Sequence, residues 1–167
     1  CEDFADRYED VHMFGMNYAF FAPATTKRPP YYWNTRVYSC ICLSNEIFPD
    51  FYWRGRYNED TDLSLQMLKG GWCTVQFNAF LQEKTNTQVL KGGNIEAFYA
   101  KEGTIPKSQM QVRLHPDVSK LVWRYGRWHH HVNYNKFKRE NKLIKKKDIE
   151  IQQGINNYGL KLKKFDS

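Results

Sequence analysis

Two arginines, Arg54 and Arg56, stand just ahead of three acids, Glu59, Asp60 and Asp62, in the run WRGRYNEDTDLSLQMLKGGWCTVQFNAFL over residues 53–81. Acids in the first turn of a helix are favoured by its dipole, each by roughly 0.3–1 kcal/mol, and that accounts for Asp62. Guanidiniums ahead of a helix N-terminus are electrostatically misplaced unless anions answer them, so the arginine pair calls for partners. A junction of strand and helix carrying both signs of charge suits a general base beside an anionic substrate. Asp60-Thr61-Asp62 does not read as a metal-diphosphate grip, because helix positions i and i+2 point about 200° apart. Glu59 and Asp62, three apart, share a face instead.

Three other groups have chemical potential. His129, His130 and His131 are consecutive, so in an extended segment at most two face one ion; such a run is more common in a partly exposed turn than in a metal shell. Lys91-Gly92-Gly93-Asn94 either wraps a phosphate with backbone amides or forms a β-turn. Residues 136–167 hold ten Lys/Arg against four acids, whereas residues 1–135 hold fifteen against fourteen, so +6 of the net +7 lies at the C-terminal end. There Lys138, Arg139, Lys142, Lys145, Lys146 and Lys147 present the charge that a phosphate backbone attracts through counterion release, or else a solvated helix face.

The elements that must position these groups read as follows. Residues 1–30 are irregular and aromatic. Tyr31 to Leu43, β-branched and aromatic, predicts a strand or hairpin arm. Residues 58–71 predict a helix: Asn58 caps it, Leu63/Met67 and Leu65/Leu68 form its apolar stripes, and Gly70-Gly71 stop it. A strand follows from about Trp72 to Leu81, with Val75, Phe77, Ala79 and Leu81 alternating against polar residues. Ile95 to Tyr99 begins a helix or a strand. His115-Pro116-Asp117 opens a further helix carrying Val118, Leu121, Val122 and Tyr125 on one face until Gly126. Residues 127–134 form a short strand or loop. Strands and helices interleave, so the fold class is α/β.

At 167 residues, 41% hydrophobic and 16% aromatic, the chain has the material for one packed domain, which excludes a mainly disordered polypeptide. No run approaches the roughly 18 apolar residues of a membrane span, and no segment has a signal peptide's layout. Cys1, Cys40, Cys42 and Cys73 suggest no disulfide framework or zinc site. A chain opening on Cys1 rather than Met reads as a piece of a longer protein.

The run Asn58-Glu59-Asp60-Thr61-Asp62-Leu63-Ser64-Leu65, followed by Lys69-Gly70-Gly71-Trp72, resembles the acidic motif that opens the acceptor-side helix of GT-A glycosyltransferases. Together with Asn34-Thr35-Arg36-Val37-Tyr38-Ser39, the Arg54/Arg56 pair and Lys91-Gly92-Gly93-Asn94, it is similar to the phage TET-associated DNA glycosyltransferases, and to the glycosyltransferase-like domain of oestrogen-regulated GREB-type proteins. The resemblance covers roughly residues 10–135, with 136–167 a basic C-terminal segment. It implies a GT-A-like mixed sheet with flanking helices, the acceptor-side portion of such an enzyme. No pattern before Arg36 supplies the Asp-x-Asp of a nucleotide-binding half. The general base falls on Asp60, with Glu59 its neighbour and possible substitute. Substrate contacts fall on Asn34, Arg36, Trp53, Arg54, Arg56, Asp62, Lys91 and Asn94. A late histidine, His130 ahead of His129, joins a divalent Mn or Mg ion. The implied reaction is inverting transfer from a UDP-sugar to hydroxymethylated pyrimidines in DNA, in the cytoplasm of a phage-infected bacterium. A non-catalytic DNA-binding module, with Trp53, Trp123 and Trp128 stacking on bases, and transfer to a protein hydroxyl are the competing readings.

Overall fold

The computed structural model describes residues 1–83 and 105–149 together with positions 154, 155, 159 and 161. It is a mixed α/β structure. A short helical turn α1 (Glu2–Ala5) leads into β1 (Val11–Tyr18), followed by the short strands β2 (Tyr31–Trp33) and β3 (Cys42–Leu43). Helix α2 (Glu59–Lys69), strand β4 (Cys73–Gln82), helix α3 (Ile105–Leu114), the pair β5 (Ser119–Arg124) and β6 (Arg127–Val132), and helix α4 (Asn135–Glu140) complete it. The main sheet has the order β2-β4-β1-β3, and β5-β6 forms a separate two-stranded sheet. β1 and β4 are parallel, with α2 in the connection between them, and the edge strands β2 and β3 are antiparallel to their neighbours. Among the described residues no helix is long and apolar enough to cross a membrane.

Helix α2 is the spine because its two apolar stripes are both used. Leu63 and Met67 meet Met13, Val37 and Ile47 on one face of the sheet, while Leu65 and Leu68 meet Val118 and Phe137. Ala5, Val11, Phe14, Cys73, Val75 and Phe77 form the cluster on the sheet's other face, closed by Phe4 and Leu143. Both faces of the central strands are thus covered, and a polar residue there must find partners or line a cavity.

Four expectations change. Residues 1–30 are not all irregular, since 11–18 make the central strand β1. Its run VHMFGMNY lacks strand alternation because both faces are buried. Gly15 is required within it, because a Cβ there would run into the carbonyl of Cys40. The stretch 31–43 is not one strand but two opposite edges of the sheet, separated by residues 34–41. Asn34 and Ser39 turn the chain between them with φ of 51° and 67°. The helix expected from Pro116 to Tyr125 is instead β5, paired Trp123↔Trp128 and Arg124↔Arg127 with β6. The β-branched and aromatic content of SKLVWR outweighs the three- and four-residue spacing once RWHHHV offers a partner. The preceding helix α3 has no counterpart in the sequence reading.

The fold also continues across residue 135. Phe137 and Asn141 are buried, and Asn141 Nδ2 donates to the carbonyls of Leu68 and Trp72, both at 2.8 Å. The chain then runs beside the start of the protein, where Ile144 N–H donates to Asp10 Oδ1 (3.0 Å) and Lys146 N–H to the carbonyl of Arg7 (2.9 Å). Residues 135–146 therefore belong to the packed domain.

Candidate functional site

A cleft of about 430 Å³ opens where β1 ends and α2 begins, bounded on its far side by β6. Ligand sites in α/β sheets favour this place, beyond the carboxyl ends of parallel strands and beside a helix N-terminus. Its floor is polar: Asn17 from β1, Thr35 from the turn after β2, Thr61 from α2 and Gln76 from β4. Arg28 and Arg36 give one side positive charge, His130 and His131 line it with imidazoles, and Tyr32, Tyr38, Tyr134 and Phe21 supply aromatic walls. The mixture suits a ligand carrying both rings and negative charge.

Several of these groups are fixed by their neighbours. Asn17 accepts from the Tyr38 hydroxyl (3.1 Å) and donates to Asn78 Oδ1 (2.8 Å). The Arg36 guanidinium lies 4.3 Å from the centre of the Tyr38 ring. Burial raises the Tyr38 and Tyr134 hydroxyls above the ordinary tyrosine value, so both stay protonated donors. Two buried polar atoms among the lining residues have no partner, Gln76 Nε2 and His130 Nδ1. A buried unpaired polar atom is costly, and a ligand in the cleft would relieve it.

Asp60 stands beside this cleft. Its Oδ1 accepts from the Thr61 N–H (2.6 Å) and hydroxyl (3.1 Å), which orients the carboxylate at the α2 N-terminus. Its charge acts on Lys107, His130, Tyr38 and Tyr134 together, which sets it in the field of the cleft. Burial pushes Lys107 below the ordinary lysine value against the pull of Asp60. Burial, with Lys107 and Arg36 beside it, lowers His130 to about 4, so its imidazole is neutral at pH 7.

The other expected residues lie elsewhere. Asp62 is wholly inaccessible, so it touches no substrate. Arg54 donates to it through Nε (3.0 and 3.2 Å) and Nη2 (3.1 Å), Gln66 Nε2 donates at 2.8 Å, and His115 Nε2 lies 2.7 Å away. Arg54 thus meets its anion inside the protein, and the pair ties the 52–58 loop and the end of α3 to α2. Glu59 is exposed at the first position of α2, whereas Asp62, three residues on, is buried. Asn34 is also inaccessible, and its Nδ2 donates to the carbonyls of Phe137 (2.9 Å) and Asn141 (2.8 Å). The expected substrate contacts at Asn34, Arg54 and Asp62 are therefore internal bracing in this structure. Trp53 and Arg56 are exposed outside the cleft. Asn58 precedes α2 with φ of 51°, and its side chain donates to the Lys107 carbonyl (2.9 Å) rather than capping the helix. Of the expected substrate contacts, Arg36 lines the cleft, while Lys91 and Asn94 lie outside the described residues.

The divalent ion that the resemblance implies meets a poor donor set. Among the described residues no three His, Cys, Asp or Glu side chains converge on one point. His130 Nδ1 is one donor, with Lys107 and Arg36 repelling a cation beside it. His129 Nε2 already accepts from Arg127 Nε at 3.2 Å. The described residues do not form a metal site by themselves.

Sequence reasoning missed Gln76, Tyr38, Tyr134 and Lys107. A signal existed for Gln76, because Thr74 and Gln76 put polar groups on a strand too apolar to be an edge. The family model of TET-associated glycosyltransferases matches residues 1–93, and the chain belongs to that family. No curated protein and no solved structure matches the chain.

Proposed function

We propose that this chain carries the acceptor-side chemistry of a glycosyltransferase that moves a sugar from a UDP-sugar to hydroxymethylated pyrimidines in DNA, with inversion and Asp60 as general base. The observation that carries the reading is the cleft itself, lined by Arg36 and two unpartnered buried polar atoms, with the oriented Asp60 carboxylate beside it at the start of α2, in the stretch that the family model matches. Asp60 takes the proton of the acceptor hydroxyl as that oxygen bonds to the anomeric carbon. The bond from that carbon to the diphosphate oxygen breaks with its electron pair, and the departing anion meets Arg36 and Arg28. Tyr32 and Tyr134 offer ring faces and hydroxyl donors to the base and sugar, while the Tyr38 hydroxyl is held by Asn17. No step here is assigned to a divalent ion, whose remaining ligands the described residues do not supply.

The test is a transfer assay on DNA containing hydroxymethylcytosine with a panel of nucleotide sugars, read by mass spectrometry of the digested nucleosides. A mass increase of one sugar on the modified base supports the reading. Binding of the DNA with no transfer from any donor supports the second reading, a non-catalytic nucleic-acid module, which exposed Trp53, Trp123 and Trp128 and the exposed lysines of residues 138–147 favour.

A further inference from the structure

The β5–β6 ribbon has a charge pattern that folding alone does not require. Its register places Arg124 directly opposite Arg127, a like-charge pair that destabilises a ribbon. Residues alternate faces, so Lys120, Arg124, Arg127, His129 and His131 share one face. From Val118 through Arg139 the sequence contains six Lys/Arg, three His and no acid. Among the described residues no ion pair joins Arg124 or Arg127 to a carboxylate. His131, at the far end of this face, lines the cleft roughly 13 Å from the turn.

The turn points the same way. Tyr125 and Gly126 have φ of 53° and 70°, the pattern of a hairpin turn whose first position favours Asn, Asp or Gly. A tyrosine there is strained, and the residue is 91% exposed, its ring meeting only His129 edge to face at 6.1 Å among the ring contacts of the described residues. Beside it on the ribbon's other face, Trp123 is 60% exposed and meets Trp128 edge to face across the strands. Exposed rings next to unanswered cations fit a partner with both flat faces and phosphates. A second copy of this chain would bring arginine against arginine, so self-association does not fit the surface.

We propose that the β5–β6 ribbon is a docking track for single-stranded nucleic acid. Phosphates follow Arg124, Arg127 and Lys120 towards the cleft, and a base stacks on Tyr125 at the turn. A duplex would hide the base faces that the exposed rings offer to meet. The inference deepens the transferase reading by naming where its acceptor docks, and rests on it for direction, but its test is binding alone.

The experiment is a fluorescence-anisotropy titration of a labelled 20-nucleotide single-stranded DNA at several salt concentrations, for the wild type, Arg124→Ser/Arg127→Ser and Tyr125→Asn. The double variant should lower the slope of log K against log salt by about 1.4, two phosphate contacts at about 0.7 each. Tyr125→Asn should weaken binding roughly 5- to 150-fold, one lost base stack, with an unchanged slope. Asn suits the turn better than Tyr, so thermal melting should hold or rise in that variant and loss of fold cannot mimic the result. Unchanged affinity and slope in both variants, or at least tenfold tighter binding of the matching duplex, would overturn the proposal. A slope lowered only by neutralising residues 138–147 would do the same, with the transferase reading intact. Transfer by the wild-type protein to a free hydroxymethylated nucleoside tests that reading separately.

Discussion

Replacing Asp62 by Asn should expose how much of the site depends on a residue that never touches it. The carboxylate receives Arg54 Nε and Nη2, Gln66 Nε2 and the His115 ring nitrogen, all within 3.2 Å, and has no accessible surface. An amide keeps one acceptor oxygen and turns an N–H₂ towards donors, so about two charge-assisted bonds are lost at roughly 1.5–3 kcal/mol each. The Arg54 side chain is 37% exposed and recovers hydration, which discounts its share, leaving a loss of about 2–4 kcal/mol. Burial alone would raise the Asp62 carboxyl; the hydrogen bonds and charges of His115 and Arg54 outweigh it and hold it below 3.8. A folded value below the unfolded one gives stability that is complete above the unfolded value and lost as pH falls through the folded one. The gap between wild type and Asp62→Asn, measured by urea unfolding, should therefore be constant from about pH 5 to 8 and narrow below about pH 4. A variant within about 1 kcal/mol of wild type at pH 7, or a gap that persists at low pH, would refute the reasoning.

Three further outcomes follow from the same structure. Phe137→Ala should cost about 3–5 kcal/mol in unfolding experiments, because its ring fills the space between Leu65, Leu68 and Val118; a loss under about 1 kcal/mol would mean that α4 is not part of the core. Arg36→Ala should weaken binding of a UDP-sugar roughly 10- to 100-fold by calorimetry, through one lost charge-assisted contact, with melting little changed; equal affinity would take Arg36 out of the donor site. Changing Lys138, Arg139, Lys142, Lys145 and Lys147 to Gln should reduce the salt slope of DNA binding while leaving the fold intact, whereas an unchanged slope would mark that run as a solvated face.

Much of the architecture around α2 was legible, because its signals are local. The acids at its start, two apolar stripes and Gly70-Gly71 fix both the helix and the faces it buries, and alternation marks β4. What escaped depends on distant partners. β1 carries no alternation because sheet and helices cover both sides, and β5 declares itself only through its pairing with β6. The same division holds at the site. Arg54 before an acidic helix start correctly signalled an anionic partner, but that partner is Asp62 eight residues on, buried with His115 from beyond α3. Gln76, Tyr38, His130 and Asp60 are gathered by the crossing of β4, the turn after β2, β6 and α2, which no spacing along the chain encodes.

The central claim is that Asp60 removes the acceptor proton. Asn in its place can still accept from the Thr61 N–H and hydroxyl, so α2 should start as before and melting should be preserved. An amide cannot take the proton. With hydroxymethylcytosine DNA and the productive nucleotide sugar, the initial transfer rate of Asp60→Asn should fall roughly 10²–10⁴-fold. Turnover equal to wild type in a variant shown to be folded would contradict the account.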